Sequence, residues 1–182
     1  FNYENKIVFD NLNISIKSNS RTLIKGNSGT GKSTLIDLLV KFQTPNSGNI
    51  TIDNTNLKNI NTSYLRNKVG YVSQDVLLFN DSIINNIKLV KPNISDKEFD
   101  KLSAITFCNE FIKDIPRNKD FVVGERGLNL SGGQRQRLGI LRALVKNPDI
   151  IILDESLNAI DEKMSLLILE NIFSEYRNST VI

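Results

Sequence analysis

The chain has 182 residues, 40% of them hydrophobic, which is enough for one domain with a real core. A formal charge of +3, evenly spread and without any histidine, is too weak to argue for a nucleic-acid partner. The single cysteine, Cys108, excludes an internal disulfide and reads as a small buried apolar residue, and no apolar run approaches the length of a bilayer span.

In chain order, Phe1-Asn2-Tyr3 opens inside a strand-like stretch. Ile7, Phe9, Leu12, Ile14 and Ile16 follow at near period-two spacing, slipping by one at Asp10-Asn11, which predicts a hairpin with one buried face. Lys17 to Ser20 is a turn, and Arg21 to Lys25 is the strand leading into Gly26-Asn27-Ser28-Gly29-Thr30-Gly31-Lys32-Ser33-Thr34. That stretch fits G-x-x-x-x-G-K-[ST], the phosphate-binding P-loop, in its strand–loop–helix setting. Glycines let the loop turn tightly and bring backbone N–H groups close to phosphate oxygens. The following helix adds about half a positive charge at its N-terminus. Lys32 is placed for the β- and γ-phosphates, Ser33 for Mg²⁺, and Thr34 for the phosphates.

The helix is expected to run from Lys32 to about Phe42 and to bury Leu35, Leu38 and Leu39. Pro45 and Gly48 mark a loop. Asn49 to Ile52 and Val69 to Val72 read as strands, the second ending at Ser73-Gln74. Ser82 is a cap for Ile83 to Ile87, and Ser95 with Glu98 is a capping box for a helix running towards Cys108. Pro116 to Gly127 is a loop. Arg135 to Val145 is a helix that begins at the glycines of Leu130-Ser131-Gly132-Gly133-Gln134. Ile150 to Leu153 is a continuous apolar run, the pattern of a parallel strand buried on both faces. Glu162 to about Tyr176 is a helix, and Thr180 to Ile182 begins a further strand.

Two acidic residues, Asp154 and Glu155, close the buried strand. Asp154 sits where a P-loop protein places a carboxylate for Mg²⁺, and Glu155 could polarise water for attack on a γ-phosphate. Ser131 to Gln134 puts a hydroxyl and glycine N–H groups at a helix start. It is either a second anion cradle, serving a nucleotide held by another subunit, or a serine-capped helix whose glycines permit close packing.

Taken together, these stretches resemble the nucleotide-binding domain of ATP-binding-cassette proteins over nearly the whole chain. The resemblance implies an α/β P-loop NTPase core of RecA-like type, with an N-terminal antiparallel β subdomain. Within a single domain over 1–182, a helical subdomain at about 75–140 would carry the signature motif. It implies ATP and Mg²⁺ as ligands. Tyr3 would stack on adenine, Gly26 to Thr34 would hold phosphate, and Gln74 would bind Mg²⁺ and the attacking water. Ser33 and Asp154 would complete the metal site. Ser131, Gly132, Gly133 and Gln134 would form the signature, Glu155 would be the catalytic base with Gln74 and Lys32 also serving catalysis, and Asn158-Ala159-Ile160-Asp161 resembles the D-loop, with Asp161 at the nucleotide and two mild departures, Asn158 and Ile160.

Gln74 to Phe79, Ser82 to Ile87, and Val123 to Gly127 are similar to exporter-type cassettes. Where many exporters carry an acidic residue, this chain has Val122. The expected partners are a second nucleotide-binding domain, paired head-to-tail around two ATPs, and a transmembrane domain preceding Phe1, at the cytoplasmic face of a membrane. The family's switch histidine would follow the strand beginning at Thr180. The chain has no histidine, so weak hydrolysis is expected of it alone. A soluble DNA-repair cassette would separate the P-loop from the signature by a long coiled coil, and no sustained heptads lie between Ser33 and Leu130. A degenerate, non-hydrolysing clamp is opposed by Lys32, Gln74, Asp154 and Glu155.

Overall fold

A computed structural model describes residues 1–4 and 6–182. Strands β1 (Asn2–Tyr3) and β2 (Lys6–Ile7) form an antiparallel pair ahead of helix α1 (Lys32–Leu39). A second antiparallel pair, β3 (Thr51–Ile52) and β4 (Thr55–Asn56), precedes α2 (Thr62–Lys68) and β5 (Val69–Val72). Helices α3 (Ile83–Lys88), α4 (Asp96–Ile105), α5 (Cys108–Asp114) and α6 (Gly132–Leu144) follow. Then come β6 (Ile150–Leu153), α7 (Glu162–Glu175) and β7 (Thr180–Val181).

Strands β5, β6 and β7 make a parallel sheet with β6 in the middle, pairing Val72 with Leu153 and Ile151 with Val181. Side chains on β6 alternate between two apolar layers, as a pleated strand requires. Ile152 packs with Ile36 of α1 and with Val40, the residue that caps its end, beside Tyr71 and Ile150. Ile151 points the other way, into a larger core shared with Leu138 and Leu141 of α6 and Ile168 and Ile172 of α7. Helices on both faces explain why this strand is apolar at every position.

Local signals hold where capping chemistry is strong. Ser82 accepts from the Asn85 N–H, and Ser95 accepts from the Glu98 N–H, but the expected capping box is only half formed, because the Glu98 carboxylate pairs with Lys91 instead of the Ser95 N–H. Four more expectations are corrected. The period-two stretch does not continue as a hairpin: β2 stops at Ile7, and Leu12 and Ile14 stand exposed. Alternation makes a strand only where a partner takes up the backbone hydrogen bonds, and no described residue supplies one there. Arg21 to Lys25 lies beside β7 but pairs with it only through a bridge at Arg21, since β7 itself is two residues long. Helix α1 ends at Leu39, before the left-handed Lys41, and its buried side chains include Ile36 while Leu35 and Leu39 are half-buried. The helix from Ser95 is broken at Phe107, whose φ is +54°, so that Cys108 begins a new one. No described helix is long and apolar enough to cross a membrane.

Candidate functional site

The loop before α1 has the geometry of an anion cradle. Gly29 and Gly31 take φ values of +81° and +96°, which side-chain-bearing residues rarely adopt. A Cβ on Gly31 would lie 2.7 Å from Val8 Cγ1 and 2.9 Å from Phe9 Cε1, so the N-terminal segment seals the back of the loop. Gly31 is the N-cap of α1, no side chain of the described residues caps the helix start, and the first turn holds no acidic residue. The N–H groups of that turn have no partner within the helix and are left for a bound anion. Lys32 Nζ donates to the carbonyls of Gly26 (2.9 Å) and Asn27 (3.2 Å), and Thr30 Oγ1 donates to Asn27 O at 2.8 Å. These bonds pull the loop into a ring around the ammonium group. Ser28 at the tip and Ser33 on the first turn are exposed, and Thr34 is half-buried.

The carboxyl edge of the sheet supplies the acids. Asp154 shares the parity of Ile152 and so faces the α1 side. The Tyr71 hydroxyl donates to its Oδ2 at 3.5 Å, and Asp154 N donates to Val72 O at 2.9 Å, tying the ends of β5 and β6 together. Burial, then the charge of Glu155, raises the Asp154 carboxyl above its ordinary value, while Lys32 opposes the shift. Burial, aided by Asp154 and Asp37, pushes the Tyr71 phenol up to about 12. Glu155 has a left-handed φ of +49°, which swings its side chain over the edge of the sheet instead of to the opposite face. Its Oε1 lies 4.0 Å from Lys32 Nζ, and its Oε2 accepts from Asn158 Nδ2 at 3.3 Å. Gln74 leaves the same edge two residues past Val72 and is exposed.

Lys32, Asp154 and Glu155 therefore converge. Tyr3 approaches the loop indirectly: its ring stands edge-on to Phe1 at 4.8 Å, the Phe1 carbonyl accepts from Val8 and Phe9, and Phe9 abuts Gly31. Among the described residues no cluster of three acidic, cysteine or histidine side chains exists. Mg²⁺ does not require one, because it keeps much of its water and takes one or two carboxylates plus phosphate oxygens. One carboxylate, Asp154, with the hydroxyl of Ser33 and the amide of Gln74 fits that chemistry.

Ser131 to Gln134 lies at the start of α6. Ser131 accepts from the Gln134 N–H at 3.2 Å, and Gln134 Oε1 accepts from the Ser131 N–H at 2.8 Å, a full capping box. Gly132 and Gly133 press on the loop after Glu155: a Cβ would lie 3.2 Å from Ala159 Cβ and 2.9 Å from Ala159 O, respectively. Asp161 caps α7 by accepting from the Met164 N–H at 2.9 Å. Close packing is thus one reason for the glycines, and the exposed Ser131 remains open to solvent. The sequence alone assigned no role to Tyr71, Asp37 or Gln136, and it marked Asn158 only as a departure in the D-loop-like stretch, not as a partner of Glu155. Asp37 signalled itself as a carboxyl between buried Ile36 and Leu38, and burial raises its carboxyl above the ordinary value.

Comparison with known proteins gives a consistent result. The family model described as "ABC transporter" matches residues 9–158. The chain is 40% identical over 179 residues to the alpha-hemolysin translocation ATP-binding protein HlyB of Escherichia coli, covering 98% of this chain and 25% of that protein. It is 39% identical over 178 residues to ATP-binding cassette sub-family B member 10, mitochondrial, of Mus musculus, covering 96% and 25%. A solved structure of a bacterial Atm1-family ABC exporter with ATP bound superposes with a TM-score of 0.94 at 37% identity, covering all of this chain and 33% of that one. The chain thus spans about a quarter to a third of these relatives' length.

Proposed function

The chain belongs to the ABC transporter family, whose ATPase domains hydrolyse ATP, and we propose that it is the nucleotide-binding domain that drives export of a substrate across a membrane. The observation that carries this reading is the approach of Lys32 to Glu155 above the carboxyl edge of the sheet, at 4.0 Å. It brings together a cation suited to phosphate and a carboxylate able to take a proton from water. The amides of Gly29 to Thr34 hold the phosphates, with Gly26, Asn27 and Ser28 shaping the loop, and Lys32 neutralises β- and γ-oxygens. Ser33, Gln74 and Asp154 would hold Mg²⁺, which supplies charge stabilisation to the phosphates. Glu155 activates the attacking water, and Asn158 holds the carboxylate. Tyr3 stacks on the adenine.

In this reading Ser131, Gly132, Gly133 and Gln134 meet the γ-phosphate of an ATP held by a second nucleotide-binding domain, head-to-tail, and Asp161 lies at the same interface. The segment at about 75–140 forms a helical subdomain that carries the signature, while β1 to β4 belong to an antiparallel subdomain beside the RecA-like core. The remaining partner is a transmembrane domain, and the work is done at the cytoplasmic face. With no histidine among its residues, the chain alone turns over slowly.

The deciding experiment is Glu155→Gln in the intact protein. Mg-ATP should still bind, while hydrolysis falls by about 10²–10⁴, the usual worth of a general base. The variant should accumulate as an ATP-bound dimer, because removing the carboxylate also removes repulsion against the γ-phosphate. Hydrolysis at the parent rate would refute the role given to Glu155.

A further inference from the structure

Gln136 lies one turn into α6, almost fully buried, and is not one of the residues assigned above to nucleotide or metal. Its Oε1 accepts the Ala159 N–H at 2.8 Å. Ala159 is the middle of the loop that begins at Glu155, and its neighbour Asn158 holds Glu155 Oε2. The loop's ends are fixed elsewhere, by the Asp154 N–H on Val72 O and by Asp161 capping α7. Between those ends, the backbone–backbone bonds among the described residues are the loop's own turns, Asn158 N to Glu155 O at 3.3 Å and Ile160 N to Leu157 O at 3.0 Å, and the Ser165 hydroxyl of α7 adds only long contacts to Leu157 O at 3.5 Å and Ile160 O at 3.4 Å. The Ser156 hydroxyl is buried with no hydrogen-bond partner among the described residues and adds no anchor. Glu155 itself sits in the left-handed region, a conformation that persists only where the surroundings hold it.

We propose that Gln136 is a positioning residue for Glu155: by accepting the Ala159 N–H it fastens the middle of the Glu155–Asp161 loop to α6 and so sets where the carboxylate stands relative to Lys32. Gly132 and Gly133 complete the clamp, since they leave Ala159 no free space on that side. The inference rests on the role given to Glu155 above. It assigns to Gln136 a share of the barrier through geometry alone, because a misplacement of about 1 Å at a reacting group can cost about 10²-fold in rate.

The test compares Gln136→Met, which fills the space without an acceptor, with Gln136→Glu, which keeps an acceptor oxygen, in the intact protein. Gln136→Met should lower kcat for ATP by about 10–10²-fold with KM and ATP affinity unchanged, and should speed hydrogen exchange at the Ala159 amide. Gln136→Glu should keep kcat and exchange close to the parent's. Should the Met variant fail to fold, Gln136→Asn, which withdraws the acceptor by one methylene, should show the same loss of kcat. A Met or Asn variant with parent kcat overturns the proposal, and so does a Glu variant as slow as the Met variant. Either failure is separate from failure of the Glu155 assignment, which Glu155→Gln decides by itself.

Discussion

Lys32 and Glu155 face each other from the P-loop and the end of β6, with Nζ 4.0 Å from Oε1 and both side chains partly open to solvent. A pair this long and this wet contributes little to stability. Its sense is spatial: a cation of the P-loop and a carboxylate from the end of β6 reach the same point above the sheet, in a long contact that a ligand can part.

Lys32→Ala should therefore abolish nucleotide binding and leave the fold intact. Among the described residues the ammonium hydrogen-bonds only to the Gly26 and Asn27 carbonyls of its own loop, and its 4.0 Å pair with Glu155 is weak, so its loss should change unfolding free energy by no more than about 0.5 kcal/mol. Titration calorimetry alongside a urea melt checks both halves. Equal ATP affinity in the variant would remove the site from Gly26 to Thr34.

Gly133→Asp should block ATP-driven dimerisation while each monomer still binds ATP. The added Cβ would stand 2.9 Å from Ala159 O, and in the proposed dimer the carboxylate would add negative charge where the partner's γ-phosphate is expected. Gly133→Ala separates the two effects, since it brings the same crowding without charge. Light scattering in a Glu155→Gln background should rank the parent first, Gly133→Ala second and Gly133→Asp last. An Asp variant that dimerises like its parent would sink the contact assigned to the signature.

Cys108 should resist alkylation in the folded protein at pH 8 and react at once when the protein unfolds. Burial raises its thiol to about 12, partly offset by Thr106 and by the charge of Arg137. Only about one thiol in ten thousand is then ionised at pH 8, against roughly a quarter for an ordinary cysteine. Iodoacetamide labelling followed by mass spectrometry across a urea series should trace the unfolding curve. Rapid labelling without denaturant would contradict the buried position at the start of α5.

The amino-acid sequence by itself determined the features whose physics is local. Ser82, Ser95 and Ser131 cap helices because each hydroxyl reaches an N–H three residues on. The P-loop is legible because its glycines and Lys32 lie within nine consecutive residues. β6 is legible because burial on both faces leaves an unbroken apolar run. Tertiary structure decided what depends on partners remote in the chain. Leu12 and Ile14 alternate like a strand yet stand exposed, because no described strand pairs with them. The face of α1 that is buried was set by where Ile152 stands, and Ile36 and Val40 meet it while Leu35 and Leu39 are only half-buried. Tyr71 on Asp154 is a contact across 83 residues, and Gln136 on Ala159 one across 23. A hydrogen bond between such residues has no periodicity or spacing to announce it, since the sheet and α6 must pack before donor and acceptor meet.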